Sequence, residues 1–308
     1  TAVGAGIILA IGKKVNLKGR NIIREAMNLG SGKGTVRFIK SVFMTTLAFE
    51  LTGAVLSFAV FIRDYPPLRA AGLSLFHSVA AFNNSGFDIL GGLQNLIPYQ
   101  DDIILNFVTC GLIFFGGIGF LVIREIIGKR FRWSKFSMHT KAVITVSIFL
   151  IAAGTLLIKL TEEVTWLGAF FQSVSARTAG FSTYPLGKFS NILTVLMFIG
   201  ASPGSTGGGI KTSTLFVLIQ GIKSAATNKS EKGFRYAVPA DAFRKAAVIT
   251  LIALSVVITG TYLMVIMEPS ISLMDALFEI TSAFGTVGLS TGITTGLCDG
   301  SKLLSIII

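Results

Sequence analysis

The sequence predicts an all-α integral membrane protein in which one unit is repeated around an axis: a span, a short re-entrant helix with its turn, and a returning span. Three observations predict it. Apolar residues make up 52% of the chain and charged residues only 14%, a balance foreign to soluble domains. Apolar runs long enough to cross a bilayer lie near residues 38–62, 103–123, 141–158 and 246–267. Finally, Phe76-His-Ser-Val-Ala-Ala-Phe-Asn-Asn-Ser-Gly-Phe87, Phe170-Phe-Gln-Ser-Val-Ser-Ala-Arg-Thr-Ala-Gly-Phe181 and Phe278-Glu-Ile-Thr-Ser-Ala-Phe-Gly-Thr-Val-Gly-Leu289 align without a gap, with Gly86, Gly180 and Gly288 in register.

The order of elements repeats with the motif. Residues 38–62 lead to the Gly86 turn and return through 103–123. Residues 141–158 lead to the Gly180 turn and return through 192–222, a run broken by glycines. Residues 246–267 lead to the Gly288 turn, and the return has only begun at Ile308. Aligning Gly12-Lys-Lys with Gly128-Lys-Arg makes residues 1–11 the end of a further return span. A first repeat is therefore expected upstream, giving four units of which three turns are present. The expected divisions are 1–37 (end of a span and a basic connector), 38–140 (second repeat), 141–242 (third repeat, broken return span) and 243–308 (fourth repeat, last span truncated).

A net charge of +12 invites a nucleic-acid reading, but its distribution opposes one. Eight Lys/Arg fall between Lys13 and Lys40, six between Arg124 and Lys141, and six between Lys223 and Lys245, together twenty of twenty-seven. The other connections mix few bases with Asp64, Asp101, Asp102, Glu162 and Glu163. Such alternation is the positive-inside pattern, which places the basic connectors in the cytoplasm of a multi-pass plasma-membrane protein in contact with its bilayer. Cys110 and Cys298 have no metal spacing, neither histidine has a second ligand at such spacing, and no nucleophile–base pair or carboxylate dyad is present. The chain is not expected to be an enzyme or to carry an organic cofactor.

Each motif pairs an apolar segment too short to cross a bilayer with a polar turn ending in glycine. Non-helical backbone at membrane depth survives only where protein or a water-filled cavity covers it. Ringed around an axis, such turns present carbonyl oxygens that replace the water shell of a monovalent cation without fixed charge. The short helices near 73–82, 167–176 and 276–283 aim their carbonyl ends at the same place. The expected ion ligands are the backbone oxygens of Asn84, Ser85 and Gly86, of Thr178, Ala179 and Gly180, and of Thr286, Val287 and Gly288. The fold class becomes one of span–pore-loop–span units around a pseudo-fourfold ion pathway.

The third unit departs from the pattern. Gly200-Ala-Ser-Pro-Gly-Ser-Thr-Gly-Gly-Gly-Ile-Lys-Thr212 cannot continue a helix, since Pro203 removes a donor and Gly204, Gly207, Gly208 and Gly209 favour irregular backbone. Ser202, Ser205, Thr206 and Lys211 make it polar at membrane depth, whereas 103–123 has glycines and no polar insert. A polar loop found in only one repeat reads as a gate below the filter; a tolerated break at a crowded packing site is the alternative. Arg177, inside the second turn, either repels cations at the mouth or, the favoured role, ties the loop down through carbonyls or a carboxylate. Glu50 and Glu279 are intramembrane acids for which a hydrogen-bonded role behind the filter is favoured. Gly30-Ser-Gly-Lys-Gly-Thr35 mimics a P-loop but lacks its first glycine, Met27 standing there.

Phe82-Asn-Asn-Ser-Gly-Phe-Asp88, Ser175-Ala-Arg-Thr-Ala-Gly-Phe-Ser182, Ser282-Ala-Phe-Gly-Thr-Val-Gly-Leu-Ser290 and Ser202-Pro-Gly-Ser-Thr-Gly-Gly-Gly-Ile-Lys-Thr212 together resemble the Trk/Ktr/HKT superfamily of potassium transporters, in particular the membrane subunits of bacterial Ktr systems. The resemblance spans essentially the whole chain. It implies K+ as the transported ion, uptake that can depend on Na+, homodimers in the membrane, and a cytoplasmic nucleotide-binding regulatory ring of the KtrA type. Open alternatives are a Trk-type or less selective Na+/K+ pathway, and a non-conducting remnant or assembly subunit.

Overall fold

A computed structural model describes residues 35–308 apart from 93, 190–191, 229–231, 235 and 240. The span end expected over 1–11, the connector after it and the P-loop look-alike up to Gly34 lie outside the described residues. Eleven α-helices, four short 3-10 helices and one hairpin of two two-residue strands make up the described fold.

Among the described residues, three helices are long and apolar enough to cross a membrane. They are α1 (Thr35–Phe61), α5 (Met138–Thr161) and α9 (Ala242–Met267), with 27, 24 and 26 residues. Each is followed by a short helix, α2 (Pro67–Phe82), α6 (Trp166–Ser175) or α10 (Leu273–Phe284), of 16, 10 and 12 residues. At 1.5 Å per residue these reach only ~15–24 Å, short of the ~30 Å hydrocarbon core. Local chemistry starts each one. Pro67 occupies the first turn of α2, where no N–H is needed. Thr165 caps α6 by accepting from Gly168 N, and Ser272 caps α10 by accepting from Asp275 N.

Each short helix folds back along its span. A Cβ on Gly53 would lie 2.4 Å from Ser78 Oγ, and one on Gly154 would lie 2.4 Å from Ser173 Oγ. Those hydroxyls donate to the carbonyls of Glu50 and Ile151, one helical turn earlier in each span. Gly260 of α9 is also crowded, but by aliphatic side chains: a Cβ there would lie 2.5 Å from Ile308 Cδ1 and 3.1 Å from Ile280 Cγ2. Small residues thus bring helix backbones together where water exclusion supplies little drive. Phe61, Phe82, Phe171 and Phe181 fill the interior, while Val55, Phe149, Leu251 and Ile258 face outward from the spans as expected toward lipid.

The returning segments differ from one another. The run expected to be one span over 103–123 divides into α3 (Ile103–Ile118) and α4 (Phe120–Gly128), bent by 98° at Gly119. Gly119 has φ +89°, and a Cβ there would lie 2.7 Å from Pro203 O; only glycine suits that conformation and that contact. The third unit returns through α7 (Ile192–Phe198), the loop 199–211 and α8 (Thr212–Thr227), broken where Pro203 and the glycines require. The fourth ends in α11 (Asp299–Ile307). After α8, strands β1 (Lys232–Gly233) and β2 (Tyr236–Ala237) pair antiparallel. Phe234 between them stacks on Phe216 of α8.

Candidate functional site

The three glycine turns meet in one place. A Cβ on Gly86 would lie 2.6 Å from Ala179 O, one on Gly180 2.3 Å from Val287 O, and one on Gly288 3.9 Å from Gly180 Cα. The three triplets share one backbone pattern. The first and third residues are left-handed in each: Asn84 and Gly86 (φ +52° and +60°), Thr178 and Gly180 (+80° and +78°), Thr286 and Gly288 (+51° and +85°). Interposing such residues breaks the alternate-side carbonyl pattern of an extended strand, so neighbouring carbonyls can face one way. The glycines were legible in the sequence; the left-handed Asn and Thr were not. A β-branched residue at positive φ is a rare, costly conformation, held only by its surroundings.

Those surroundings are specific. Asn84 Nδ2 donates to Thr178 Oγ1 at 3.0 Å, linking the first two turns. Asn84 Oδ1 is buried with no partner. Beyond the turns, Ser175 Oγ and Ser282 Oγ donate to the carbonyls of Phe181 and Leu289. Among the described residues, Gly180 O is the one predicted ligand carbonyl that accepts a hydrogen bond. Its donor is Asn95 Nδ2 at 3.2 Å, from the connection after the first turn. Asn95 is itself left-handed, and its Oδ1 is buried without a partner. Sequence reasoning missed it because its partner lies 85 residues away.

The polar loop closes on itself and on the turns. Ile199 and Ile210 form a parallel bridge at its neck, Ala201 N donates to Gly208 O, and Ser202 Oγ pairs with Thr212 Oγ1 at 2.9 Å. Lys211 Nζ donates to Gly207 O at 2.7 Å. Three successive residues each touch a different unit. Thr206 Oγ1 donates to Phe82 O at 3.3 Å. A Cβ on Gly207 would sit 2.0 Å from Thr178 Oγ1. Gly208 N donates to Thr286 Oγ1 at 2.8 Å. On its outer side, Ser202 N bonds Gly117 O, Phe120 N bonds Gly204 O at 3.2 Å, and Ser205 Oγ bonds Ser202 O. Gly209 continues the loop at φ +67°, next to Gly200.

Arg177 takes the tying role. Its guanidinium reaches Ser147 O, Ser147 Oγ and Gly200 O at 3.3–3.4 Å, joining the second turn to α5 and to the root of the loop. Glu279 accepts from Ser290 Oγ, Thr291 N and Thr294 Oγ1, bracing the chain beyond the third turn, and Glu50 accepts from Asn83 Nδ2. Both acids are structural braces in this arrangement. Among the described residues, no group of three His, Cys, Asp or Glu could hold a metal ion.

Apolar spans, folded-back short helices and a converging set of backbone turns define a multi-pass α-helical membrane protein with re-entrant segments. Comparison with known proteins narrows the class. A family model described as TrkH, a cation transport protein, matches residues 143–308. The Ktr system potassium uptake proteins B and D of Bacillus subtilis are 32% and 35% identical, over 98% and 99% of this chain and 71% and 72% of theirs. The potassium/sodium uptake protein NtpJ of Enterococcus hirae is 32% identical over 96% of this chain and 69% of its own. The solved structure of the potassium transporter TrkH from Vibrio parahaemolyticus matches with a TM-score of 0.72 at 18% identity, across 94% of this chain and 64% of that one; it bears on the fold alone. The chain belongs to the Trk/Ktr family of membrane cation transport proteins.

Proposed function

We propose that this chain takes up potassium through a filter made by the carbonyls of Asn84, Ser85 and Gly86, Thr178, Ala179 and Gly180, and Thr286, Val287 and Gly288. The observation that carries the reading is the shared left-handed pattern of three turns that meet in one place. Neutral carbonyls dehydrate the cation without trapping it, and the membrane potential drives it inward. The loop with Ser202, Pro203, Gly204, Ser205, Thr206, Gly207, Gly208, Gly209 and Lys211 is the gate. Thr206, Gly207 and Gly208 each seat under a different unit, so one displacement frees all three. Lys211, bonded to Gly207 O, adds a positive charge beneath the filter when the loop is seated.

Residues 38–140, 141–242 and 243–308 are then successive repeats around the pathway, with the basic connectors cytoplasmic. The relatives called Ktr system proteins support a subunit of a larger system, for which we propose a nucleotide-binding regulatory ring on that face and a homodimer in the membrane. The relative named as a potassium/sodium uptake protein supports Na+ as a co-ion or competing substrate.

Two alterations separate filter from gate. Gly180→Asp should abolish ⁸⁶Rb⁺ uptake or weaken its potassium affinity, and unchanged uptake would sink the filter assignment. Deleting residues 206–209 should raise flux without a regulatory partner. Flux unchanged or merely reduced would make the loop a packing element.

A further inference from the structure

A cavity of ≈ 700 Å³ opens beside the outer turn of the loop. Its wall includes Arg124, Glu125 and Lys129 of α4, His139 at the start of α5, and Pro203 and Gly204. The single acid in that set is already satisfied. Glu125 accepts from Lys129 Nζ, from Ser137 N and Oγ, and from Thr140 Oγ1. The other charged side chains of the wall, Arg124 and Lys129, are basic. Arg124 is exposed, and His139 Nε2 is buried with no partner.

The rim has the composition of a membrane interface. Ile127, Phe131 and Trp133 are 58%, 78% and 45% exposed, interleaved with Arg130, Arg132 and Lys135. Exposed aromatics among bases mark the headgroup level, and basic pockets between helices on the cytoplasmic side suit anionic headgroups. The wall is also joined mechanically to the loop. Phe120 N bonds Gly204 O, and Gly119 lies too close to Pro203 O to admit even a methyl group. The first turn of α4 cannot move without the loop.

We propose that this cavity binds the phosphate of a phosphate ester, the headgroup of an anionic phospholipid or a soluble ester, and that its occupancy bears on the loop through α4. A bound phosphate accepts from Arg124 and His139 and competes with Glu125 for Lys129, drawing α4 and Gly204 away from the seated position. Binding raises flux. The coupling rests on the gate reading; the binding does not.

The test has two readouts on the purified protein. Native mass spectrometry compares retention of phosphatidylglycerol with that of phosphatidylcholine, with and without glycerol 3-phosphate as soluble competitor. Phosphatidylglycerol should be retained preferentially, and Arg124→Gln or His139→Leu should weaken that retention about tenfold, the loss of one charge-assisted contact. Lys223→Gln, outside the cavity wall, should keep it. Size-exclusion profiles identify any variant that misfolds, and the other variant then decides. Displacement by glycerol 3-phosphate identifies the soluble ester as sufficient; its failure to compete assigns the site to the lipid. Equal retention of the two lipids, or retention indifferent to both substitutions, overturns the proposal. In liposomes, phosphatidylglycerol should raise ⁸⁶Rb⁺ flux severalfold for the unaltered protein and not for Arg124→Gln. A response equal in both overturns the coupling. No flux in any vesicle, including vesicles holding the 206–209 deletion, beside the expected retention pattern, overturns the transport reading and leaves the site standing.

Discussion

At the residue scale, the candidate filter depends on side chains that are not part of it. Asn95 donates to Gly180 O, a carbonyl proposed as an ion ligand, and so fixes its direction. Asn95→Leu keeps the size and removes the donor. Apparent KM for potassium should rise several-fold, with discrimination against sodium reduced and expression unchanged; uptake kinetics with sodium competition check it. Gly207 supplies a second case. Its φ lies outside the left-handed range, so alanine strains no backbone, yet the new Cβ would meet Thr178 Oγ1 at 2.0 Å. Gly207→Ala should unseat the loop and raise partner-independent flux, whereas Gly204→Ala, with open space but φ +71°, should act through backbone strain and leave Thr178 uncrowded. The three turn glycines were legible because a shared register displays them. Thr178 and Thr286 were not, since a β-branched side chain argues against their conformation and only the assembled turns hold it; Asn84 tolerates positive φ, but nothing local distinguishes it from Asn83.

At the element scale, α4 decides how the loop is held. Composition over 103–123 reads as one span, and nothing local separates Gly119 from Gly111, Gly116 or Gly117. The bend is imposed by Pro203 and Gly204, which no periodicity reveals. Gly119→Ala should cost about 1–3 kcal/mol through its positive φ, more where the Pro203 contact cannot relax; thermal unfolding of the purified protein measures it. The far end of α4 is fixed by Glu125. Burial pushes that carboxyl up, but hydrogen bonds from Lys129, Thr140 and Ser137 outweigh it and hold its pKa down to about 2. A depressed carboxyl stabilises the fold fully above its ordinary value of 4.5 and loses that contribution as pH falls toward 2. Glu125→Gln should therefore lower thermal stability at pH 7 by about 1–2 kcal/mol, with the difference from the unaltered protein shrinking below pH 4.5. A constant difference across that range would assign the effect to shape rather than charge. The pairing of Gly53 and Gly154 with pore-helix serines also escaped the sequence, because each span glycine lies at a different distance from its turn.

At the scale of the whole molecule, orientation decides the face on which a regulator or a phosphate ester would act. In the proposed orientation the basic connectors are inside, and the two opposite ends of the fold make this testable. Ser137, at the start of α5, and Asp241, before α9, lie at the basic ends of their spans. The short helices α2, α6 and α10 begin at the other ends, after Phe61, Thr161 and Met267. Cys298 belongs to that second face, exposed just before α11, while Cys110 is buried in α3. The chain has two cysteines in all, so a membrane-impermeant maleimide needs no engineered background. In intact cells it should label the protein at Cys298, and Cys298→Ser should remove the label. Labelling that appears only after permeabilisation would invert the molecule. The loop would then sit at the outer end of the pathway, Arg124 and His139 would face away from the cytoplasm, and a cytoplasmic ring would have no gate within reach.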